Sequence, residues 1–109
     1  MPIANCFAAS VPAGFDPDEL VSAWARFSGI ASDEMTVNLM RAEQGGKRYQ
    51  VMAWLYLPSL WSERDASALG EGLAAALADA LTVDPSAVQV VTSVVPSGAV
   101  VEAGRTLRW

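Results

Sequence analysis

The strongest constraint on the fold of this chain is an order of elements that occurs twice: strand, helix, strand. Apolar or alternating stretches at 2–9, 35–42, 48–57 and 87–95 predict four strands. A helix is predicted between the first two strands and a longer helix between the last two. One βαβ unit therefore spans 2–45 and a second spans 48–98, within a single domain that ends in a tail at 99–109.

The first helix has a clear beginning and end. Asp16 is placed to cap it, Pro17 suits its first position, and Glu19 stands where a capping box needs an acidic residue. Gly29 is predicted to end it. The apolar stripe that would face a sheet is formed by Leu20, Val21, Trp24 and Phe27.

The second helix is longer and more regular. Ser62, with Asp65 three residues later, is a plausible cap for a helix that runs to about Thr82. Apolar residues recur along it at steps of three and four, which gives one continuous apolar face. These residues are Ala66, Leu69, Leu73, Ala76, Leu77, Ala80 and Leu81.

We predict an α/β fold in which duplicated βαβ units form a four-stranded sheet with two helices on one face. A ferredoxin-like sheet and a tautomerase-type sheet both satisfy this pattern. The chain is 52% hydrophobic and only 17% charged, which is apolar for the surface of so small a monomer. Part of this apolar surface is therefore expected to lie between subunits.

Charge and residue usage exclude several functions. The net charge is −5 and the only basic cluster is Lys47–Arg48, which argues against a nucleic-acid partner. No apolar run approaches 18 residues, so no membrane span is expected. With Cys6 as its only cysteine and no histidine, the chain is not expected to hold zinc or any other cofactor, or a Ser-His or Cys-His nucleophile. A single cysteine and no leader sequence fit the cytoplasm.

Pro2 is the residue with the most unusual chemistry. Met1 before a small residue is normally removed, which would leave Pro2 as a terminal secondary amine at the start of a strand. Such an amine can act as nucleophile, base or acid, according to its pKa. The alternative is structural, because a proline is harmless at the start of an edge strand.

Pro2 at the head of two βαβ units resembles the tautomerase superfamily, which includes 4-oxalocrotonate tautomerase, macrophage migration inhibitory factor and cis-3-chloroacrylic acid dehalogenase. The tail at 95–107 is similar to the segment Pro-x-x-x-hydrophobic-x-Glu-Tyr-Gly-Arg-x-Leu of the dehalogenase subgroup. It departs from this segment at Ala103, where the subgroup has tyrosine. The matching residues are Pro96, Val100, Glu102, Gly104, Arg105 and Leu107.

This resemblance implies roles for particular residues. Pro2 would transfer a proton to or from carbon, Glu102 would activate water, and Arg64 would bind a substrate carboxylate. Other family residues have no counterpart. The second arginine of the helix falls on Trp61 or Ser62, and the strand tyrosine falls on Val91.

Three further residues are candidates for substrate binding. Arg41 and Arg48 lie near strand ends, where each is either a solvated charge or a replacement for the absent arginine. Asn38 matches a position that faces the proline in the family, and it would polarise a carbonyl. Otherwise it is an amide at the edge of the sheet.

Three functions remain open. The chain is expected to be a homotrimeric tautomerase that moves protons on enolic or 2-oxo acids, so its partner is a small carboxylate. The first alternative is a hydratase or dehalogenase of unsaturated (halo)acrylic acids, with Glu102 activating water. The second is a trimeric ligand-binding module without catalysis.

Overall fold

A computed structural model describes all 109 residues of the chain. A four-stranded sheet, in the order β2-β1-β3-β4, carries two α-helices. This architecture confirms the predicted α/β fold class. The strands are β1 (Ile3–Ala8), β2 (Thr36–Arg41), β3 (Val51–Pro58) and β4 (Val88–Val95), and the helices are α1 (Pro17–Ser28) and α2 (Glu63–Leu81). Single 3₁₀ turns at Ser32–Glu34 and Pro85–Ala87 precede β2 and β4.

The strand pairing follows from the two βαβ units. β1 pairs with β2 in parallel and β3 pairs with β4 in parallel, as expected where a helix connects two strands of one sheet. The two units join at the centre, where β1 and β3 are antiparallel and Ile3 lies opposite Tyr56. Pro2 and the end of β3 therefore lie at the same end of the sheet.

The core lies between the sheet and the helices. Ala4, Cys6 and Ala8 on β1 are fully buried, whereas the residues between them are only half-buried. The small side chains of β1 make room for Trp24 of α1, which is also fully buried. The indole N–H of Trp24 donates to the carbonyl of Leu69 at 2.9 Å, which connects the two helices inside the core.

The predicted helix ends are confirmed. The Asp16 carboxylate accepts from the backbone N–H of Asp18, and the Ser62 hydroxyl accepts from that of Asp65. Gly29 ends α1 with φ 72°, a left-handed conformation that glycine adopts without strain. In a full capping box, the Asp16 carboxylate would instead accept from the backbone N–H of Glu19.

Three details differ from the sequence prediction. Phe27 is 47% exposed, because the buried face of α1 is centred on Leu20, Ala23 and Trp24. The third strand begins at Val51 rather than at residue 48. The tail contains a short hairpin of β5 (Val100–Glu102) and β6 (Arg105–Leu107), for which no strand was predicted. Neither helix is both long and apolar enough to cross a bilayer.

Candidate active site at Pro2

Pro2 lies immediately before β1, at the end of the sheet where α1 finishes and α2 begins. Its carbonyl accepts a hydrogen bond from the backbone N–H of Thr36 at 3.0 Å, which fixes it beside the start of β2. Less than 2% of its surface is exposed. With Met1 in place, the ring nitrogen of Pro2 is an amide and has no basic lone pair.

Pro2 borders a surface depression of about 350 Å³. Met1, the turn at 29–31, Asp33, Glu34 and Trp61 complete its lining. The amine of Met1 is 3.9 Å from a carboxylate oxygen of Glu34, which is 81% exposed. No lysine or arginine lines the depression, so its charged side chains are the two carboxylates, and its one positive charge is the amine of Met1.

The walls of this depression follow from local structure. The left-handed residue Gly29 turns the chain away from α1, and the next residue, Ile30, donates its N–H to the Ser28 hydroxyl at 3.2 Å. Trp61 comes from the turn between β3 and α2, where its backbone N–H lies 3.4 Å from the carbonyl of Pro58. Its indole N–H is buried and has no acceptor in the chain.

Asn38 lies on the face of the sheet that the helices leave open. It is paired with Asn5, which falls between the core residues Ala4 and Cys6, so both amides project away from the core. The Asn38 side chain donates to the Asn5 side-chain oxygen at 2.9 Å. Within one subunit this hydrogen bond fixes the amide on the sheet face, outside the lining of the Pro2 depression.

Arg41 and Arg48 lie at the other end of the sheet. Arg41 is paired with Ala8, five positions along from the pair of Ile3 with Thr36, which is about 17 Å of strand. Arg48 borders a different depression, together with Tyr49 and Glu43. Neither arginine lies near Pro2 within one subunit.

Arg64 and Glu102 lie closer to the Pro2 end of the sheet than Arg41 and Arg48 do, one on a helix and the other on the tail hairpin. Arg64 is in the first turn of α2, three residues after Trp61, and its side chain is exposed without an ion-pair partner. Glu102 ends β5 opposite Arg105, and the turn between them has positive φ at both Ala103 and Gly104. Glu102 is exposed and is not part of the Pro2 depression.

The tail is fastened to the Pro2 end of the sheet. The indole of Trp109 donates to the hydroxyl of Ser59 at 2.9 Å, and its backbone N–H donates to Ser97 at 2.8 Å. Ser59 follows directly after β3, and its N–H bonds to Val95 at the end of β4. The hairpin that carries Glu102 therefore starts at the same end of the sheet as Pro2.

The two perturbed acids of the chain lie outside this site. Burial raises the pKa of the Cys6 thiol to about 12, which keeps it protonated in the core. Hydrogen bonds from the backbone and side chain of Ser86 lower the pKa of Asp84, at the opposite end of the sheet. Neither group is suited to chemistry at Pro2.

The site contains two residues that the sequence did not single out as functional. The family resemblance identifies Trp61 only as a position on which the absent arginine falls, and it assigns nothing to Glu34. The order of elements could have indicated that both lie near Pro2, because each belongs to a turn at the Pro2 end of the sheet, before β2 for Glu34 and after β3 for Trp61. The orphaned N–H of Trp61 depends on three-dimensional packing and has no sequence signature.

No protein-family model matches the chain, and no curated protein matches it. Solved structures do. A fused 4-OT that forms an asymmetric trimer is 17% identical, with a TM-score of 0.79 over 96% of this chain and 95% of that one. A member of the cis-3-chloroacrylic acid dehalogenase family is 18% identical, with a TM-score of 0.67 over 97% of this chain and 83% of that one.

Macrophage migration inhibitory factor of Toxoplasma gondii is also 18% identical, with a TM-score of 0.64 over 97% of this chain and all (100%) of the other. These proteins represent the branches named from the sequence. The chain therefore has the fold that these structures share, which confirms the fold that the resemblance implies and excludes a ferredoxin-like sheet.

Proposed function

We propose that this protein is a tautomerase-like enzyme that moves a proton on enolic or 2-oxo acids, with Pro2 as the acid–base group once Met1 is removed. The observation that carries the proposal is the position of Pro2. It is buried when Met1 is present, and it borders a depression at the end of a tautomerase-type sheet.

Removal of Met1 changes the chemistry of this site. It converts the Pro2 amide into a secondary amine, and it removes one of the side chains that line the depression. In ketonisation the neutral amine takes the proton of the enol hydroxyl and delivers it to the α-carbon, as the C=C double bond becomes a single bond and the C–O bond becomes a carbonyl. In enolisation the same proton moves from the α-carbon to the carbonyl oxygen. A rigid ring amine suits this work, because it has no flexible stem to reposition between the two transfers.

Binding of the substrate carboxylate is assigned to Arg64. It is the only one of the three candidate arginines that itself lies towards the Pro2 end of the sheet, in the first turn of α2, whereas Arg41 is at the far end of β2. The other candidates do not line the depression of their own subunit, so they could contribute to a Pro2 site only from a neighbouring subunit. These candidates are Asn38, Arg41 and Arg48. They are therefore secondary candidates for polarising a carbonyl or holding a carboxylate.

The open face of the sheet supports the proposal of a homotrimer. Phe7 and Trp54 meet there edge to face, with ring centroids 5.1 Å apart, and Trp54 remains 46% exposed. An apolar face of this extent is unusual on a monomer. Fused 4-OT proteins of the same fold form trimers. Further apolar residues of this face are Ile3, Met40, Met52, Tyr56 and Val91.

The proposal is tested with two variants, Pro2→Ala and Glu102→Gln. Turnover of phenylenolpyruvate is expected to fall by about 10²–10⁴-fold in Pro2→Ala, as is usual when a positioned acid or base is lost. Glu102→Gln is the matched control and is expected to change turnover little, because ketonisation activates no water. A hydratase gives a different pattern, in which both variants lose product formation from halogenated acrylic acids. Equal turnover of the wild type and Pro2→Ala would exclude Pro2 as the acid–base group, and a wild type without turnover of either substrate would leave only a non-catalytic module.

A further inference from the structure

One tryptophan of the chain is unlike the others. The indole N–H of Trp24 donates to Leu69, that of Trp109 donates to Ser59, and Trp54 is 46% exposed on the open sheet face. Trp61 alone has a buried indole N–H without an acceptor in the chain. Buried donors without a partner are rare in folded proteins, so this one requires an explanation.

The surroundings of Trp61 hold it in place. Its backbone N–H lies 3.4 Å from the carbonyl of Pro58, and the next residue, Ser62, caps α2. Its ring packs against the hydrophobic core. The indole therefore has little freedom to turn its N–H towards an acceptor elsewhere in the chain, and Trp61 is one of the residues that line the depression beside Pro2.

The depression contains no other side-chain donor. Its lining consists of Met1, Pro2, small or apolar residues, and the carboxylates of Asp33 and Glu34, which accept hydrogen bonds when ionised. A carbonyl compound whose α-proton is moved gains negative charge on its oxygen. Such an oxygen needs a donor in the transition state, and a preorganised donor in a dry site is effective for this purpose.

We infer that the indole N–H of Trp61 donates a hydrogen bond to the carbonyl or enol oxygen of the compound on which Pro2 acts. This inference rests on the proposed function, and it adds the group that polarises the substrate. Met1 lines the same depression, so its removal gives a substrate oxygen room beside both Pro2 and Trp61.

The binding step is tested by NMR on protein that has lost Met1. The chain has four tryptophans, so four indole N–H signals are expected, and Trp61→Phe identifies the relevant one. The probe is benzoylformate, a 2-oxo acid that cannot enolise. Phenylacetate is the matched control, since it has a methylene group in place of the ketone. The Trp61 signal should move downfield with benzoylformate and stay in place with phenylacetate, while the signal of Trp24 stays in place with both.

An unmoved Trp61 signal, or an equal shift with both ligands, would overturn the inference. If Trp61→Phe does not fold, Trp54→Phe and Trp109→Phe assign two of the four signals. Slow exchange then identifies Trp24, whose N–H is hydrogen-bonded in the core, and the remaining signal is that of Trp61. The titration needs no turnover, so it decides whether the Trp61 indole binds the oxygen of a 2-oxo acid independently of whether Pro2 catalyses a reaction.

Kinetics give a second test. Trp61→Phe should lower kcat for phenylenolpyruvate by about 10²-fold, the usual cost of one oxyanion donor, and leave the pH profile unchanged. Trp54→Phe, on the open sheet face, is the control and should keep full activity. A Trp61→Phe enzyme as active as Trp54→Phe would refute the inference. If Trp61→Phe is fully active and Pro2→Ala is inactive, the proposed function of Pro2 stands and only the role of Trp61 is refuted.

Discussion

Gly72 is expected to set the distance between the two helices, and with it the shape of the wall beside Pro2. A Cβ at position 72 would lie 2.8 Å from the backbone N, the Cα and the Cβ of Ser28, at the end of α1. Two of these three atoms are backbone atoms, so no side-chain rotation relieves the clash. Gly29 and Ile30, which follow Ser28, line the Pro2 depression.

The magnitude follows from two opposing terms. The helices must move apart until the distance between the added Cβ and the Ser28 atoms grows from 2.8 Å to at least 3.4 Å, where ordinary van der Waals contact begins. Overpacking of this kind costs about 1–3 kcal/mol, and contact with the backbone favours the upper end. The better helix propensity of alanine returns about 0.8–1.0 kcal/mol. Gly72→Ala should therefore lower the free energy of unfolding by about 1–2 kcal/mol.

Gly70→Ala is the matched control in the same helix. A Cβ at position 70 meets only the Thr92 hydroxyl, at an ordinary 3.5 Å, so this variant should gain about 1 kcal/mol from helix propensity alone. The propensity term is common to both variants, so their difference of about 2–3 kcal/mol measures the packing cost. Chemical denaturation at one fixed protein concentration provides the assay, because association also contributes to stability. Unfolding free energies within 0.5 kcal/mol of each other would refute the close approach.

Three further predictions concern a thiol, a turn and the open sheet face. Cys6 should resist alkylation at pH 8 until the protein is unfolded, and rapid labelling of the native protein would contradict its burial. The free energy of unfolding should fall as the pH rises from 9.0 towards about 12, because the thiol loses its proton at a lower pH in the unfolded chain than in the folded one. Gly104→Ala should destabilise the tail hairpin by about 1 kcal/mol, because φ is 76° at this residue and the added Cβ meets no other atom, so only backbone strain is added. The N–H of Gly98, which bonds to the carbonyl of Leu107, should then exchange faster, and an unchanged exchange rate would contradict the prediction. Trp54→Lys should convert a trimer to monomers in light scattering while Phe27→Lys, on α1, should not; a wild-type monomer at micromolar concentration would exclude the trimer.

Local signals explain why most of the fold could be predicted from the sequence. Asp16, Ser62 and Gly29 act within a few residues of themselves, so the helix ends could be inferred without knowledge of the tertiary structure. The alternation along β1 likewise identifies its buried face. Such features need only the period of the element and the chemistry of its ends.

The differences arose where tertiary contacts decide. Phe27 and Ala23 both fit an apolar helix face, and the close approach of α2 to Ser28 leaves the larger side chain exposed. The tail hairpin depends on a turn with positive φ at Ala103, a residue that gives no signal for such a conformation. In the candidate site, Pro2 could be recognised from its position and from family resemblance. The orphaned N–H of Trp61 exists only because three distant segments meet at one end of the sheet.

The central claim is that the free amine of Pro2 performs the proton transfer, and blocking that amine tests it most directly. Inserting a lysine between Met1 and Pro2 prevents removal of Met1 and keeps the Pro2 nitrogen as an amide. Intact mass spectrometry verifies both termini, and the turnover of phenylenolpyruvate is then compared across pH. We expect the wild type to begin at Pro2 and to gain activity as the amine loses its proton, and the blocked form to be inactive at every pH. Equal turnover by the two forms, with Pro2 confirmed as an amide in the blocked one, would contradict the account.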